Sequence, residues 1–315
     1  MNINQLKYFV ELARNRSFSR AAEHVNVSQP ALSLQMQKLE EEFEYRLIDR
    51  TKKPLSLTPE GELFFEKALK IVQLVEDLSQ LSTDIEEQME GKIRIGIIPT
   101  LSPYLVPMFI NELNKQHPRL FLEISELNTE EITARLTYNE LDVGIISTPV
   151  TAKNIGFESL FYERFFLYVS EKHELYSKEK VQLEKLPLEE LWYLREGNCF
   201  QNQVNSICQI PDYNQTDLSF RYVSYSIESL KRIVENQGGM TFIPELSTMN
   251  ISSEYENMIK PLEDPAPVRE ISAAYSKTIG LKKAVRVLLD VLLENIPSRM
   301  KAIPETKPLD TKVRI

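Results

Sequence analysis

Cysteine is almost absent from this chain: two residues in 315, Cys199 and Cys208. That excludes the disulfide scaffold of a small secreted domain. Histidine is nearly as scarce. His24, His117 and His173 are scattered, none at ligand spacing from another or from a cysteine, so neither a metal site nor a metal cofactor is expected. Long apolar runs are missing too, since nothing approaches the roughly 18–20 residues a membrane span needs. The opening Met1-Asn2-Ile3-Asn4-Gln5-Leu6-Lys7 lacks the basic-then-apolar order of a signal peptide. A cytoplasmic protein with no membrane partner is the expectation. What is present is ordinary globular composition, 42% hydrophobic and 26% charged, which argues against disorder. The length suits about two domains of ~100–200 residues each.

The net charge of −9 argues at first against a nucleic-acid partner, but it is unevenly spread. Of the 37 Lys/Arg and 46 Asp/Glu, residues 1–58 hold nine and seven, a balance of +2; the other 28 and 39 leave the rest at −11. A slightly basic end on an acidic body places phosphate-binding charge locally while the body stays soluble.

Residues 1–58 read as short helices. Leu6, Phe9, Val10 and Ala13 fall at helical spacing, as do Ala21, Ala22 and Val25. Ser28 is a good N-cap and Pro30 lies in a first turn, predicting a helix to about Phe43 that buries Leu32, Met36, Leu39 and Phe43. Two helices joined around Asn26-Val27 make a helix-turn-helix. Arg50, Lys52 and Lys53, followed by Pro54-Leu55-Ser56-Leu57, suit a small β-wing. Such a motif offers the start of its second helix to the major groove. Ser28, Gln29, Ser33 and Gln35 would then face base edges, with Pro30 and Ala31 available to thymine methyls. Arg50, Lys52 and Lys53 would hold phosphates, which gives affinity and salt dependence rather than sequence choice. The same spacing equally suits an ordinary helical bundle with solvated polar residues.

Residues 59–90 read as one long helix, capped by Thr58 with Pro59 at its first position. Phe64, Ala68, Ile71, Val75, Leu78, Ser82, Ile85 and Met89 follow alternating steps of four and three, the seam of a coiled coil. With no core of its own to cover that stripe, the helix is expected to pair with a second chain. From residue 91 strands alternate with helices: Lys92–Ile97, Leu105–Leu113, Leu120–Ser125, Thr129–Tyr138 and Val143–Ile146, then Phe165–Val169, Trp192–Leu194, Ile227–Glu235 and Met240–Ile243. Ile271–Tyr275 and Leu281–Leu293 follow the crossover Glu263-Asp264-Pro265-Ala266-Pro267. The pattern predicts an α/β domain over 91–302 built on parallel sheets. Its two lobes would be about 91–163 plus 267–302, and 164–266, with a ligand cleft between them. The tail 303–315 has little apolar content and is expected to fray.

Ser17-Phe18-Ser19-Arg20-Ala21-Ala22-Glu23, Val27-Ser28-Gln29-Pro30-Ala31-Leu32-Ser33, Gln37-Lys38-Leu39-Glu40, Leu47-Ile48-Asp49-Arg50 and Leu57-Thr58-Pro59-Glu60-Gly61 strongly resemble the DNA-binding end of LysR-type transcriptional regulators. The resemblance covers essentially the whole chain. It implies a winged helix-turn-helix, a dimerising linker helix and a two-lobed effector domain like a periplasmic binding protein, in that order. It also implies promoter DNA and RNA polymerase as partners, a homodimer or homotetramer, and no enzymatic activity.

Cys199 and Cys208 lie nine residues apart, a proximity that random placement would give in about one chain in twenty. Two unrelated buried thiols are the plain alternative. If the intervening stretch is helical, nine residues rise about 13.5 Å. A disulfide needs Cα atoms within ~7 Å, so bridging would require the segment to unwind. Leu194-Arg195-Glu196-Gly197-Asn198-Cys199 through Ile207-Cys208, with Ile97-Ile98-Pro99-Thr100-Leu101-Ser102-Pro103-Tyr104-Leu105, resembles the hydrogen-peroxide sensors of the LysR family. Carried over, Cys199 is the sensing thiol and Cys208 the resolving one, in a reversible disulfide reset by a cellular thiol reductant. Thr100, Thr129, Asn198 and Arg269 then line the peroxide pocket. Plainer roles are open for three of these: Thr100 and Thr129 as helix caps, and Arg269 paired with Glu270 or a cleft carboxylate. Asn198 departs from the family, where many members carry histidine, and supplies no titratable charge. Two other readings compete: a metabolite-sensing regulator with incidental cysteines, and a thiol peroxidase, which would leave residues 1–90 unexplained.

Overall fold

The computed structural model describes residues 1–80, 91–194, 199–208, 224, 226–249 and 251–315. The chain divides into two compact units, the first essentially Met1–Met89 and the second Glu90–Ser276 with Leu281–Ile315.

The first unit begins with α1 (Ile3–Asn15), where Asn2 Oδ1 accepts from Gln5 N and Gln5 Oε1 accepts from Asn2 N. That reciprocal box satisfies two N–H groups that a helix start leaves without partners. α2 (Phe18–His24) and α3 (Gln29–Phe43) follow. Ser28 Oγ accepts from Ala31 N at 3.3 Å and Pro30 sits in the first turn, so α3 starts where the sequence places it. Leu32, Met36 and Leu39 are buried, as are Leu6, Phe9 and Ala21 of the two preceding helices, while Phe43 is half-buried and meets Phe64 edge-on. β1 (Ile48–Asp49) and β2 (Ser56–Leu57) pair antiparallel as the small wing. Thr58 Oγ1 then accepts from Gly61 N at 2.9 Å to open α4 (Pro59–Gln80). Gly61 is required there, because a Cβ would stand 2.0 Å from the carbonyl oxygen of Leu47.

α4 corrects one expectation. Its first turns do have a core to bury against: Phe65, Ala68, Leu69 and Val72 are buried, and Phe64 packs edge-on against Phe9 at 5.1 Å. The apolar stripe left uncovered is Ile71, Leu74 and Leu78, with Leu63 about two turns before it, each 39–68% exposed. The uncovered stripe keeps Ile71 and Leu78 of the expected seam, takes Leu74 in place of the half-buried Val75, and loses Phe64 and Ala68 to the helix-turn-helix. Ser82, Ile85 and Met89 lie outside the described residues.

The second unit contains β3 (Gly91–Ile97), α5 (Ser102–Gln116), β4 (Leu120–Glu126), α6 (Thr129–Thr137), β5 (Val143–Thr148), β6 (Ile155–Val169) and α7 (Cys199–Cys208). α8 (Ile227–Gln237), β7 (Met240–Pro244), β8 (Ile259–Pro261), β9 (Val268–Ser276), α9 (Lys283–Glu294) and α10 (Ser298–Lys301) complete it. β3 pairs in parallel with β4 and β5, but β9 joins β5 antiparallel and β6 joins β9 antiparallel. The sheet is therefore mixed rather than parallel. β9 returns from the far lobe and can only enter from the opposite end.

β6 is one strand of 15 residues, where the sequence pattern suggests only Phe165–Val169. Its first part pairs with β9 in one lobe; Phe165–Val169 pairs with β7 and β8 in the other. A register shift between Ser159 and Phe161 and the change of sheet break the alternation that marks a strand in sequence. Trp192–Leu194 is not a strand; Trp192 N simply donates to Met240 O beside β7. Each lobe has its own apolar core.

The tail does not fray. Thr311 is fully buried, its Oγ1 donates to Pro149 O, Leu309 N donates to Val268 O, and Thr151 exchanges backbone bonds with Val313 and Ile315. A segment with few apolar side chains is held by backbone groups, which composition does not reveal.

Candidate functional site: a thiol between two cores

Cys199 opens α7 and is 4% exposed. Its side chain joins the core of the first lobe, while Phe200 and Val204 on the same helix join the core of the second. Phe200 stacks on Phe165 with ring centroids 5.0 Å apart. α7 therefore lies across the boundary between lobes and is bonded to both.

The guanidinium of Arg269, on β9 at the crossover, is fully buried and sits over the Phe200 ring, 5.1 Å from its centroid. Its Nε donates to Glu163 Oε2 at 2.8 Å and Nη2 lies 2.7 Å from the same oxygen. Its Nη1 donates to Thr100 Oγ1 at 3.0 Å. Arg269 thus pairs with Glu163 on β6 and not with Glu270, whose carboxylate accepts from Thr148 and Ser272. Glu163 is also fully buried, and its Oε1 accepts from Leu246 N at 2.9 Å.

The capping alternatives fail for both threonines. α5 has no side-chain cap, and Thr100 Oγ1 accepts from Arg269 instead. α6 is capped by Asn128, whose Oδ1 accepts from Glu131 N, so Thr129 Oγ1 is left over. That buried oxygen makes no well-formed hydrogen bond among the described residues, yet it lies close enough to the Cys199 thiol to favour its thiolate. A buried hydroxyl without a full partner is the exception in folded proteins and points to a ligand or to a change of state at Cys199.

Burial raises the Cys199 thiol above its usual range, while the Arg269 charge, Thr129 Oγ1 and the N–H groups of Phe200 and Cys199 pull it down. The last two are the free donors of a helix start, which favour a thiolate. Cys208, at the far end of α7, has no such help: burial alone pushes its thiol up to about 12. The two cysteines are free thiols here. Thr129 and Arg269 thus bear on Cys199, Thr100 is held to Arg269, and Asn198 lies outside the described residues. Sequence reasoning missed Glu163, although a lone carboxylate inside the apolar run Leu160–Val169 is a visible signal.

At the helix-turn-helix, Ser28, Gln29, Pro30 and Ala31 are exposed together. Ser28 Oγ is engaged as the cap, and Gln29 Oε1 accepts from Ser19 Oγ at 3.0 Å, leaving the Gln29 amide N–H groups outward. Ser33 and Gln35 are half-buried, and Gln35 Oε1 accepts from Gln5 Nε2, so Gln35 faces α1 as much as solvent. Arg50 pairs with Glu40 at 3.1 Å and lies over Phe18; Lys52 and Lys53 are exposed.

Residues 3–62 match the bacterial regulatory helix-turn-helix protein family of lysR type, and residues 86–297 match the LysR substrate binding domain. The chain is 31% identical over 303 residues to a hydrogen peroxide-inducible genes activator of Pectobacterium carotovorum, covering 96% of this chain and 99% of that one. It is 32% identical over 297 residues to the DNA-binding transcriptional dual regulator OxyR of Escherichia coli K12, covering 92% and 96%. Full-length OxyR from Pseudomonas aeruginosa, carrying a cysteine-to-aspartate substitution, superposes with a TM-score of 0.78 at 28% identity over 98% and 99% of the two chains. Among the described residues no helix is long and apolar enough to cross a membrane. The chain belongs to the LysR family and is a DNA-binding transcription regulator, not an enzyme.

Proposed function

We propose that this regulator senses hydrogen peroxide through Cys199 and Cys208 and controls oxidative-stress promoters. The observation that carries the reading is the convergence of Thr129 Oγ1, lacking a full partner, and the Arg269–Thr100 pair on one buried thiol at the start of α7. The names of its relatives point the same way.

The chemistry has two steps. The Cys199 thiolate attacks one oxygen of hydrogen peroxide; the O–O bond breaks, and the second oxygen leaves as hydroxide and takes up a proton to become water. Cys199 is now a sulfenic acid. The Cys208 thiolate then attacks its sulfur, the S–O bond breaks, and a second water leaves as the disulfide forms. Arg269 and Thr100 offer hydrogen bonds to the charge that develops on the leaving oxygen. A cellular thiol reductant returns the pair to thiols. Thiol trapping with mass spectrometry after a peroxide pulse is expected to find Cys199 and Cys208 in one intramolecular disulfide. Cys199 left unmodified at peroxide levels that oxidise ordinary surface thiols would sink the reading.

The signal is passed to promoter DNA and RNA polymerase by a cytoplasmic homodimer or homotetramer. The uncovered Ile71, Leu74 and Leu78 of α4 supply one pairing surface for a second copy. Two recognition helices related by a two-fold axis imply a pseudo-palindromic site. Gln29→Ala is expected to lose base discrimination at one or more positions by roughly 1–3 kcal/mol each. Lys52→Ala is expected to weaken all sequences alike and flatten the salt dependence. Binding measured on permuted sites at several salt concentrations separates the two; an unchanged preference in Gln29→Ala would move the base contacts elsewhere on α3.

A further inference from the structure

Arg269 and Glu163 form an ion pair in which both side chains are fully buried, and only one partner bears on the thiol. Glu163 binds both the Nε edge and Nη2 of the guanidinium and is itself pinned by Leu246 N. We propose that Glu163, which need touch neither Cys199 nor peroxide, is a positioning residue: it fixes the plane of the Arg269 guanidinium and sets how much of that positive charge reaches Cys199. The inference rests on the sensor reading for its biological meaning, though not for its test.

Two consequences follow from the geometry. With Nε and Nη2 held by the carboxylate, Nη1 is left aimed at Thr100 Oγ1, which accepts its N–H at 3.0 Å. Nη2 also reaches the Thr100 carbonyl at 3.3 Å, so the threonine is gripped at two points. The Thr100 oxygen accepts from Arg269, and its hydroxyl proton remains available to donate to a peroxide oxygen. The second consequence is electrostatic. Burial raises the Glu163 carboxyl, the adjoining guanidinium and the Leu246 N–H pull it back down, and its ionised form offsets part of the charge that Arg269 offers to sulfur. Burial raises the Cys199 thiol and the Arg269 charge pulls it down, so a counter-charge on the guanidinium makes the thiolate scarcer than an unopposed arginine would.

Other groups facing the pair do not replace Glu163. Glu245, between β7 and β8, faces it but is held by Arg299 Nε at 2.7 Å and by the backbone N–H of Arg164. Tyr104 on α5 donates its hydroxyl proton to Glu228, and burial holds that phenol far above its ordinary range, so it does not ionise where the thiol does. Among the described residues, the side chains facing Cys199 are Arg269 itself and the uncharged Thr129.

The test is a titration of the Cys199 thiolate by its ultraviolet absorbance, in full-length protein carrying Cys208→Ser so that one thiol reports. Glu163→Gln, which keeps the shape and one acceptor but removes the charge, is expected to move the midpoint down by at least about one pH unit. Glu163→Asp keeps the charge but shortens the reach. It is expected to hold the midpoint near that of the parent while slowing the peroxide reaction of the ionised thiol about tenfold or more, since Thr100 is no longer aimed. A folded Glu163→Gln variant with an unmoved or raised midpoint overturns the proposal. Should that variant not fold, Glu163→Asp decides alone: a peroxide rate equal to the parent's overturns it. The absorbance titration needs no peroxide. A parent protein whose Cys199 ionises but ignores peroxide defeats the sensor reading and leaves the Glu163 result standing.

Discussion

Cys199→Ser is expected to abolish the transcriptional response to peroxide, while Cys208→Ser stops the chemistry one step later. A serine hydroxyl does not ionise near neutral pH and is not oxidised by peroxide, so Cys199→Ser has no first step. With Cys208→Ser the first step proceeds and a sulfenic acid accumulates at Cys199. The two thiols have unequal tasks because they have unequal surroundings. Cys199 has Arg269, Thr129 and helix N–H groups to oppose its burial; Cys208 has burial alone and rests near about 12. An intact α7 also holds the two sulfurs at opposite ends of a ten-residue helix, about 13.5 Å apart along its axis, so opening of the helix is expected to precede attack by Cys208. The sulfenic acid is accordingly expected to be trappable even in the unsubstituted protein, by a dimedone-type probe added within the first moments of a peroxide pulse. Reporter transcription that survives in Cys199→Ser would instead favour a small-molecule effector. A melting curve for each variant is the needed control, since placing a hydroxyl at a buried site costs about 1–3 kcal/mol.

Local signals in the sequence carry much of this architecture. α3 begins where Ser28 and Pro30 say it must, and α4 begins at Pro59 behind the Thr58 cap. Strands β3, β4, β5 and β7 fall on their apolar runs. What escapes is whatever depends on partners far along the chain. β6 crosses between two sheets, so its exposure pattern changes midway and no single periodicity describes it. The α4 seam is displaced because Phe64 is claimed by Phe9 and Phe43, two residues a local pattern cannot connect to it. The site divides in the same way. Cys199, Thr100, Thr129 and Arg269 come from the family resemblance, and the structure gathers them. Glu163 belongs to no motif. The sequence marks it only as a lone carboxylate in an apolar run; its partner emerges when the pairing of β6 with β9 sets Glu163 opposite Arg269 in register.

Closing the disulfide is expected to loosen the C-terminal tail as well as α7. As a helix, α7 separates its terminal Cα atoms by about 13.5 Å, whereas a disulfide allows ~7 Å, so the helix must unwind. The side chains lost from their places are the ones that hold the tail. Asn202 Nδ2 donates to Thr311 O at 2.9 Å, and Gln203 Nε2 donates to Leu309 O at 3.0 Å. Gln203 also reaches Ser147 Oγ on β5, so one side chain ties the redox helix to both a strand and the tail. Two such bonds are worth about 1 kcal/mol each, so their loss should speed local opening of residues 309–313 roughly thirtyfold. The tail would keep its backbone bonds to Thr151 and its Thr311 bond to Pro149, which is why loosening rather than full release is expected. Hydrogen–deuterium exchange on the reduced and peroxide-treated protein reads this directly, with α7 and the 309–313 amides changing together. Cys208→Ser treated identically should leave both protected, because the sulfenic acid alone does not shorten the helix. If the oxidised protein exposes α7 but exchanges its tail at the reduced rate, the tail is held by its bonds to Val268, Pro149 and Thr151, and the Asn202 and Gln203 bonds contribute nothing to its docking.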